Sequence, residues 1–537
     1  MAGLSDHLVV TPILLPLAAS AAMLLLKEGR ATLKRAISIT VVLLLVANAI
    51  LLLMGTEAAG FESAPRVYLA GNWPAPFGIV LVADRLSAIM LLLTSVLGLA
   101  SLIYASARWD VAGPRFHTLF LLQLMGLNGA FLTGDLFNLF VFFEVLLAAS
   151  YGLLLHGSGR ARVTAGLRYI AINVAASLLF LIGASLIYGV AGTLNMADLA
   201  SRVPGIADED RALFQAGMSI LGIAFLVKAG MWPLGFWLPS TYAAAAPPVA
   251  SLFAILSKVG VYAVLRVFLL LYTGDSLAAP HPGGPLLLYG GMATILFGTI
   301  GLLASRTLSR LIGFSVFISS GTLLAAIGSG EGAVLGAVLF YLVSSTLALG
   351  AFYLLIELVE RQDAADTMPV DPVFDDEYEW SDPAADEDEV GTVIPGTIAI
   401  LGGAFLLCAL LLAGLPPLSG FLGKFALIHG LLGLDEQVSF QVWALVALIV
   451  GSGLATLVAT SRAGIDLIWT PSARPQPVLR LAEAAPVALL LGACLGLTVF
   501  AGPVMAYMER AGRALEDRHA YVEAVLGARA VPAERGQ

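Results

Sequence analysis

The stretch AFLVKAGMWPLGFW, residues 224–237, sets a lysine and, five positions later, a proline inside a run that otherwise reads as membrane. Lysine at the centre of a bilayer costs about 2.5–3.5 kcal/mol on insertion scales. Proline frees a backbone carbonyl that lipid cannot satisfy. Both are tolerable only where the chain unwinds inside protein and water reaches the freed groups.

The rest of the chain supports the membrane reading. Of 537 residues, 59% are hydrophobic and only 12% charged, against about a quarter charged in a typical soluble domain. The first apolar run, HLVVTPILLPLAASAAMLLL, lacks a small-residue cleavage site and is read as a retained helix. Cys408 and Cys494 fall inside apolar runs and read as packing residues. There is no paired-cysteine metal motif, Walker loop or dinucleotide signature, so no cofactor is expected, and neither an ATP-driven pump nor a flavin enzyme.

Runs of about 20 apolar residues recur near 7–26, 34–54, 78–104, 117–133, 135–156, 166–190, 214–237, 248–272, 285–304, 308–328, 332–358, 394–432, 440–461 and 484–505. These predict an all-α polytopic protein with about fourteen spans, the seventh and twelfth interrupted. Basic residues cluster in every second loop: Lys27 to Arg35, Arg108 and Arg115, Arg160 to Arg168, Arg306 and Arg310, Arg462 to Arg480. By the positive-inside rule those loops are cytoplasmic and both termini non-cytoplasmic. Residues 362–390 hold twelve acidic residues and no basic one, so against a total of −9 the rest of the chain carries +3. Such a segment reads as a solvated cytoplasmic linker, with cation gathering as the alternative.

Of five lysines, three lie within spans: Lys228, Lys258 and Lys424. Snorkelling from a helix end is the structural alternative for each, but apolar sequence flanks the latter two on both sides. A buried ammonium needs a carboxylate or loses its proton, and the candidate partner is Glu144 in LFNLFVFFEVLLAASYGLLL. An intramembrane carboxylate is a functional candidate by default; the alternative is a purely structural ion pair. Glu144, Lys228, Lys258 and Lys424 on separate helices describe a proton relay across the midplane, not a hydrolytic site. The breaks at Pro233 and at Pro416 and Pro417 each sit beside a lysine, as in transporters whose ion sites lie at interrupted helices. They suggest two five-helix units of inverted topology, residues 111–275 and 284–462, the second containing the acidic loop. These would follow three N-terminal helices in 1–110 and precede a last helix in 463–505 and a tail in 506–537.

At TGDLFNLFVFFEVLLAASYGLLL (133–155), LVKAGMWPLGFWLPSTYAAAAPPVASLFAILSKVGVYAVLR (226–266) and GLPPLSGFLGKFALIHGLL (414–432), the chain resembles the D subunits of multisubunit Mrp/Pha-type monovalent cation/proton antiporters. That family is similar to the antiporter-like membrane subunits of respiratory complex I. The resemblance covers roughly residues 5–505. It implies inverted five-helix repeats, discontinuous helices 7 and 12, and a glutamate–lysine pair, Glu144 and Lys228, with Lys258 and Lys424 on helices eight and twelve. The chain departs from many relatives at Ser344 and Tyr242, where they carry histidines. Serine and tyrosine relay protons but hold no charge at neutral pH. Ser344, Tyr242 and His429 are therefore read as an accessory path, and Asp84 and Arg85 as a structural pair near a helix start.

The expected function is a proton-translocating subunit of a sodium or potassium/proton antiporter in the bacterial cytoplasmic membrane, a secondary transporter and not an enzyme. Its expected partners are other subunits, protons, monovalent cations and membrane lipid, with no nucleic acid. The alternatives are a redox-driven pump subunit of a complex I-type or hydrogenase complex, and a non-conducting scaffold.

Overall fold

The computed structural model describes residues 7–27, 29–58, 65–272, 283–364, 396–433, 438–465 and 479–530; the acidic stretch from residue 365 onward lies outside them. The chain opens with α1 (Thr11–Leu24) and α2 (Ala31–Ala58), then a hairpin of two antiparallel strands, β1 (Arg66–Leu69) and β2 (Val80–Ala83), then α3 (Arg85–Ala105). Next come α4 (Phe116–Leu132), α5 (Leu136–Leu154), α6 (Arg160–Ala191), the short α7 (Met196–Arg202), α8 (Asp208–Ala229), α9 (Leu238–Ala244), α10 (Pro247–Phe253) and α11 (Leu256–Tyr272). They are followed by α12 (Gly284–Leu303), α13 (Leu308–Gly328), α14 (Leu335–Ala364), α15 (Gly396–Ala413), α16 (Ser419–Leu432) and α17 (Phe440–Gly464). Last are α18 (Leu481–Val499), α19 (Ala501–Glu516) and α20 (Arg518–Leu526).

Among the described residues, twelve helices are long and apolar enough to cross a membrane, and α1, α4 and α16 are shorter apolar helices. This is a helical, multi-pass membrane protein. Side chains fix where several helices begin. Asp84 accepts from the Ser87 amide at 2.9 Å and starts α3, and Asp135 accepts from the Asn138 amide at 2.9 Å and starts α5. Each supplies an oxygen to a first-turn N–H that no helical carbonyl reaches.

The expected seventh span, 214–237, holds the end of α8 and the irregular turn around Pro233 that leads into α9, and the twelfth, 394–432, is α15 plus α16, divided near Pro416 and Pro417. Three features depart from the sequence reading. The third apolar run begins as β2, because residues 80–83 pair with 66–69 before Asp84 opens the helix. The eighth is also divided, at Ala254–Ile255, one turn before Lys258. The segment 506–526 is folded: Tyr507 bonds Thr56 at 2.9 Å, Arg510 pairs with Glu57, and the Tyr521 ring stacks on Arg266.

Burial separates centre from rim. The apolar windows of α10–α11, α13 and α14 are 94%, 89% and 83% buried, against 33% for α15 and α18. The buried lysines Lys228, Lys258 and Lys424 lie on or beside that centre.

Asp84 pairs with Arg266 of α11, at 2.6 and 2.8 Å, and not with its neighbour Arg85, which donates to the Thr56 carbonyl. Adjacent residues of a helix start point apart, whereas α11 brings Arg266 face-on for a two-pronged contact. Removing one partner of such a buried pair strands the other charge, a cost of about 3–5 kcal/mol. Asp84→Ala is therefore expected to lower the thermal midpoint of the purified protein more than the double change Asp84→Ala/Arg266→Met; equal losses would show that the pair carries no coupling.

Candidate functional site

The two helix breaks have the same backbone construction. Gly230 takes φ +77° at the end of α8; its amide reaches the Val227 carbonyl and the Met231 amide reaches the Leu226 carbonyl at 3.0 Å. Gly414 takes φ +76° at the end of α15, and the Gly414 and Leu415 amides both return to the Leu410 carbonyl. Only glycine enters this left-handed conformation without strain. The local sequences match as well, Ala229-Gly230-Met231-Trp232-Pro233-Leu234 against Ala413-Gly414-Leu415-Pro416-Pro417-Leu418. Proline three residues past the glycine prevents the helix from resuming in register.

Lys228 occupies the last turn of α8, almost wholly buried, with Nζ 5.4 Å from the Phe143 ring centroid. Phe143 precedes Glu144 on α5, and the Glu144 charge reaches Lys228 across this gap. The two do not form a direct ion pair. Glu144 is half-buried and accepts a short hydrogen bond from Ser177 of α6. α11 presses directly on the Lys228 turn, since a Cβ added at Gly260 would collide with the Ala229 backbone.

Lys258 is fully buried on α11. Its ammonium donates to Ser319 Oγ at 2.8 Å and Ser320 Oγ at 3.3 Å, both on α13. Ser319 is in turn 3.0 Å from Ser345 Oγ of α14. Ser319 and Ser345 line a cavity of about 20 Å³ together with Ser315, Tyr341, Thr456 and Leu412. That volume holds about one water, and its hydroxyl lining supplies the partners a buried water needs.

On the far side of the cavity, Lys424 of α16 donates to the carbonyls of Leu412 and Ala413 at 3.1 and 2.9 Å. These are carbonyls that the α15 break leaves without a helical amide. Gly414 and Gly453 make the room: an added Cβ would lie 2.6 Å from Lys424 Cδ at the first and 3.3 Å from Nζ at the second. When the two breaks are aligned in sequence on their glycines, Leu412 falls opposite Lys228. Lys424 thus reaches back from the other side of its break to the carbonyl of the residue that matches its counterpart.

The accessory residues separate. Ser344 donates to Ser419 at 2.8 Å, tying α14 to the first turn of α16. Tyr242 is buried beside Ser257, the residue before Lys258. It lines a cavity of about 390 Å³ with Tyr353, Glu357, Glu360 and Arg108. His429 lies on the exposed side of α16, stacked on Phe425, and joins none of these groups.

Sequence reading missed Ser177, Ser319, Ser345, Thr456 and Glu357. Glu357 accepts from Tyr104 at 2.8 Å and Trp109 at 2.9 Å and pairs with Arg108. The run FISSGT (317–322) carried a signal, three small polar positions in an otherwise apolar span.

Buried ionisable groups at helix breaks, bridged by hydroxyls and a water-sized cavity, define a class of ion-handling membrane proteins. The chain belongs to the NADH:quinone oxidoreductase/Mrp antiporter transmembrane family, whose model matches residues 133–455. It is 55% identical to the D subunit of a probable K(+)/H(+) antiporter of Rhizobium meliloti, over 97% of this chain and 98% of that one. It is 32% identical to the D subunit of the Na(+)/H(+) antiporter of Alkalihalophilus pseudofirmus, over 97% and 99%. Among solved structures it resembles a chain of the Mrp complex from a Dietzia species, with a TM-score of 0.83, 25% identity and coverage of 98% and 100%.

Ser319 is the sole direct link from Lys258 to the cavity among these contacts. Losing a hydrogen bond to a charged group costs about 1.5–3 kcal/mol. Ser319→Ala is expected to slow proton movement through the assembled complex about tenfold or more, and Ser320→Ala less. Unchanged rates in both, measured with a vesicle pH dye, would remove the serines from the path.

Proposed function

We propose that this chain is a proton-translocating subunit of a multisubunit monovalent cation/proton antiporter, a secondary transporter acting with other membrane subunits. What supports the mechanism is the contact chain Lys258–Ser319–Ser345, the cavity that these serines line together with Leu412, and the hydrogen bond from Lys424 to the Leu412 carbonyl. Glu144 and Lys228 form its other half, coupled through space beside Phe143. A proton held by one lysine passes to the next through hydroxyls and the enclosed water. Each transfer leaves a charge that biases its neighbour.

The cavity carrying Tyr242, Tyr353 and Glu357 is also lined by Arg108, and Tyr242 lies beside Ser257, the residue before Lys258. We read it as the cytoplasmic mouth, because the basic loops gather beside Arg108. Arg35 pairs with Asp110, Arg162 stacks on Trp109, and Arg480 reaches the Ala107 carbonyl. The positive-inside rule then puts both termini outside the cytoplasm of a bacterial inner membrane. The matched breaks support two inverted five-helix repeats, 111–275 and 284–462.

A redox-driven pump subunit is the second reading, favoured by 32% identity to the N subunit of the NADH-quinone oxidoreductase of Desulforudis audaxviator over 85% of this chain. Neighbouring genes discriminate: small cation-antiporter subunits for the first, iron–sulfur or quinone modules for the second.

Replacing Glu144 with Gln, or Lys228 with Ala, is expected to cut cation-dependent proton exchange in everted vesicles by about two orders of magnitude, with the complex still assembled. Exchange at the wild-type rate in either variant would leave the chain a scaffold.

A further inference from the structure

Three arginine–carboxylate pairs reach into the interior, and they are built differently. Arg266 grips Asp84 with both side chains buried, and Arg35 grips both oxygens of the buried Asp110. Pairs of that kind hold helices in place and are costly to part. Arg108 and Glu357 make the third. Here the carboxylate side chain is 10% exposed and the arginine 41%, so the cation lies toward solvent and the anion within. A pair with one end in water parts at little cost.

The two oxygens of Glu357 have different partners. Oε2 accepts from the Tyr104 hydroxyl at 2.8 Å and from the Trp109 indole at 2.9 Å, both neutral donors. Oε1 meets Arg108. Trp109 is itself fixed: its carbonyl accepts from His156 Nε2 at 2.7 Å, and Arg162 lies 5.2 Å from its ring centroid. The carboxyl group therefore keeps its place when Arg108 swings away, with Oε1 turned to solvent. Glu357 also lines the cavity of about 390 Å³, together with Glu360 and with Tyr353, four residues before it on α14. That space holds on the order of ten waters. Tyr242, on the same lining, lies beside Ser257, the residue before Lys258. A purely structural pair has no use for a water-filled space at its side.

We propose that Glu357 loads the proton that goes on to Lys258, and that Arg108 is its positioning residue, holding Oε1 between loads. The proposal rests on the reading of this cavity as the mouth of the relay. Hydronium in the cavity protonates Oε1 and becomes water, while Arg108 moves out into solvent. The neutral carboxyl group stays on Tyr104 and Trp109. Its proton then passes to cavity water on the side of the Lys258 turn, and the carboxylate takes Arg108 back. Glu360 adds a second acidic side chain to the lining, and negative charge at a mouth gathers cations.

The test uses the assembled complex in everted vesicles, whose outer surface is the cytoplasmic one. Glu357→Gln keeps the shape and an oxygen for Tyr104 and Trp109 but takes up no proton. It is expected to slow proton exchange at least about tenfold and to leave the cation concentration for half-maximal rate unchanged. Glu357→Ala is expected to lose as much and to regain exchange in formate, a carboxylate small enough for the cavity, but not in chloride at equal concentration. Ser309→Cys, on the cavity lining, probes the space without touching the pair, and keeps the test valid if the Glu357 variants fail to assemble. Cys408 and Cys494 are buried, so an impermeant thiol reagent reacts at position 309 and is expected to slow exchange several-fold. Wild-type exchange by Glu357→Gln, beside an inactive Glu144→Gln, would overturn the loading role and leave the lysine relay standing. Failure of formate to restore Glu357→Ala would make the pair structural, and wild-type exchange by labelled Ser309→Cys would overturn the cavity as the route.

Discussion

A charge in the lipid-shielded interior must be given partners by the protein, and three lysines meet that demand in three different ways. Lys228 sits over an aromatic face with a carboxylate in electrostatic range. Lys258 has two serine hydroxyls. Lys424 has two carbonyls released by a helix break. None is locked into a tight ion pair with a carboxylate among these contacts. A locked pair holds its proton; an ammonium resting on hydroxyls, carbonyls and a ring gives it up more readily. Under the proposed relay, these modest partners are what suit the lysines to transfer.

The breaks follow from the same demand. Ending α15 at Gly414 leaves unpaired carbonyls, a cost in lipid, and Lys424 uses them as its acceptors. Ending α8 at Gly230 leaves a turn whose Trp232 amide is taken by Thr294 Oγ1 at 2.9 Å. The same glycine–proline construction serves a lysine placed before the break in one half and after it in the other. Two small residues, Gly414 and Gly453, then set how closely the ammonium approaches the backbone.

Much of this was legible in the sequence. Hydropathy located most apolar runs within a few residues of the observed helices, and Pro233 and Pro416–Pro417 marked two of the three divided spans. The four charged residues stood out because ionisable groups in apolar runs are rare. What stayed hidden depends on contacts between distant segments. Lys258 meets Ser319 only because α11 and α13 pack at the centre, and serine within an apolar run is too common to single out. Ser344, noted where relatives carry histidine, bonds Ser419, while its neighbour Ser345 faces the cavity. Periodicity does not tell which of two adjacent serines turns inward on a helix buried all round. Asp84 has Arg85 beside it in sequence, and no local signal shows that Arg266 approaches from α11. The break at Ala254 has no glycine or proline to announce it.

The proposed relay requires the interior between Lys258 and Lys424 to be wet. A structure of the assembled complex at a resolution that shows ordered solvent decides this. At least one water is predicted among Ser319, Tyr341, Ser345 and Thr456, within hydrogen-bond distance of those hydroxyls. A dry gap there, or an apolar side chain filling it, would contradict the claim.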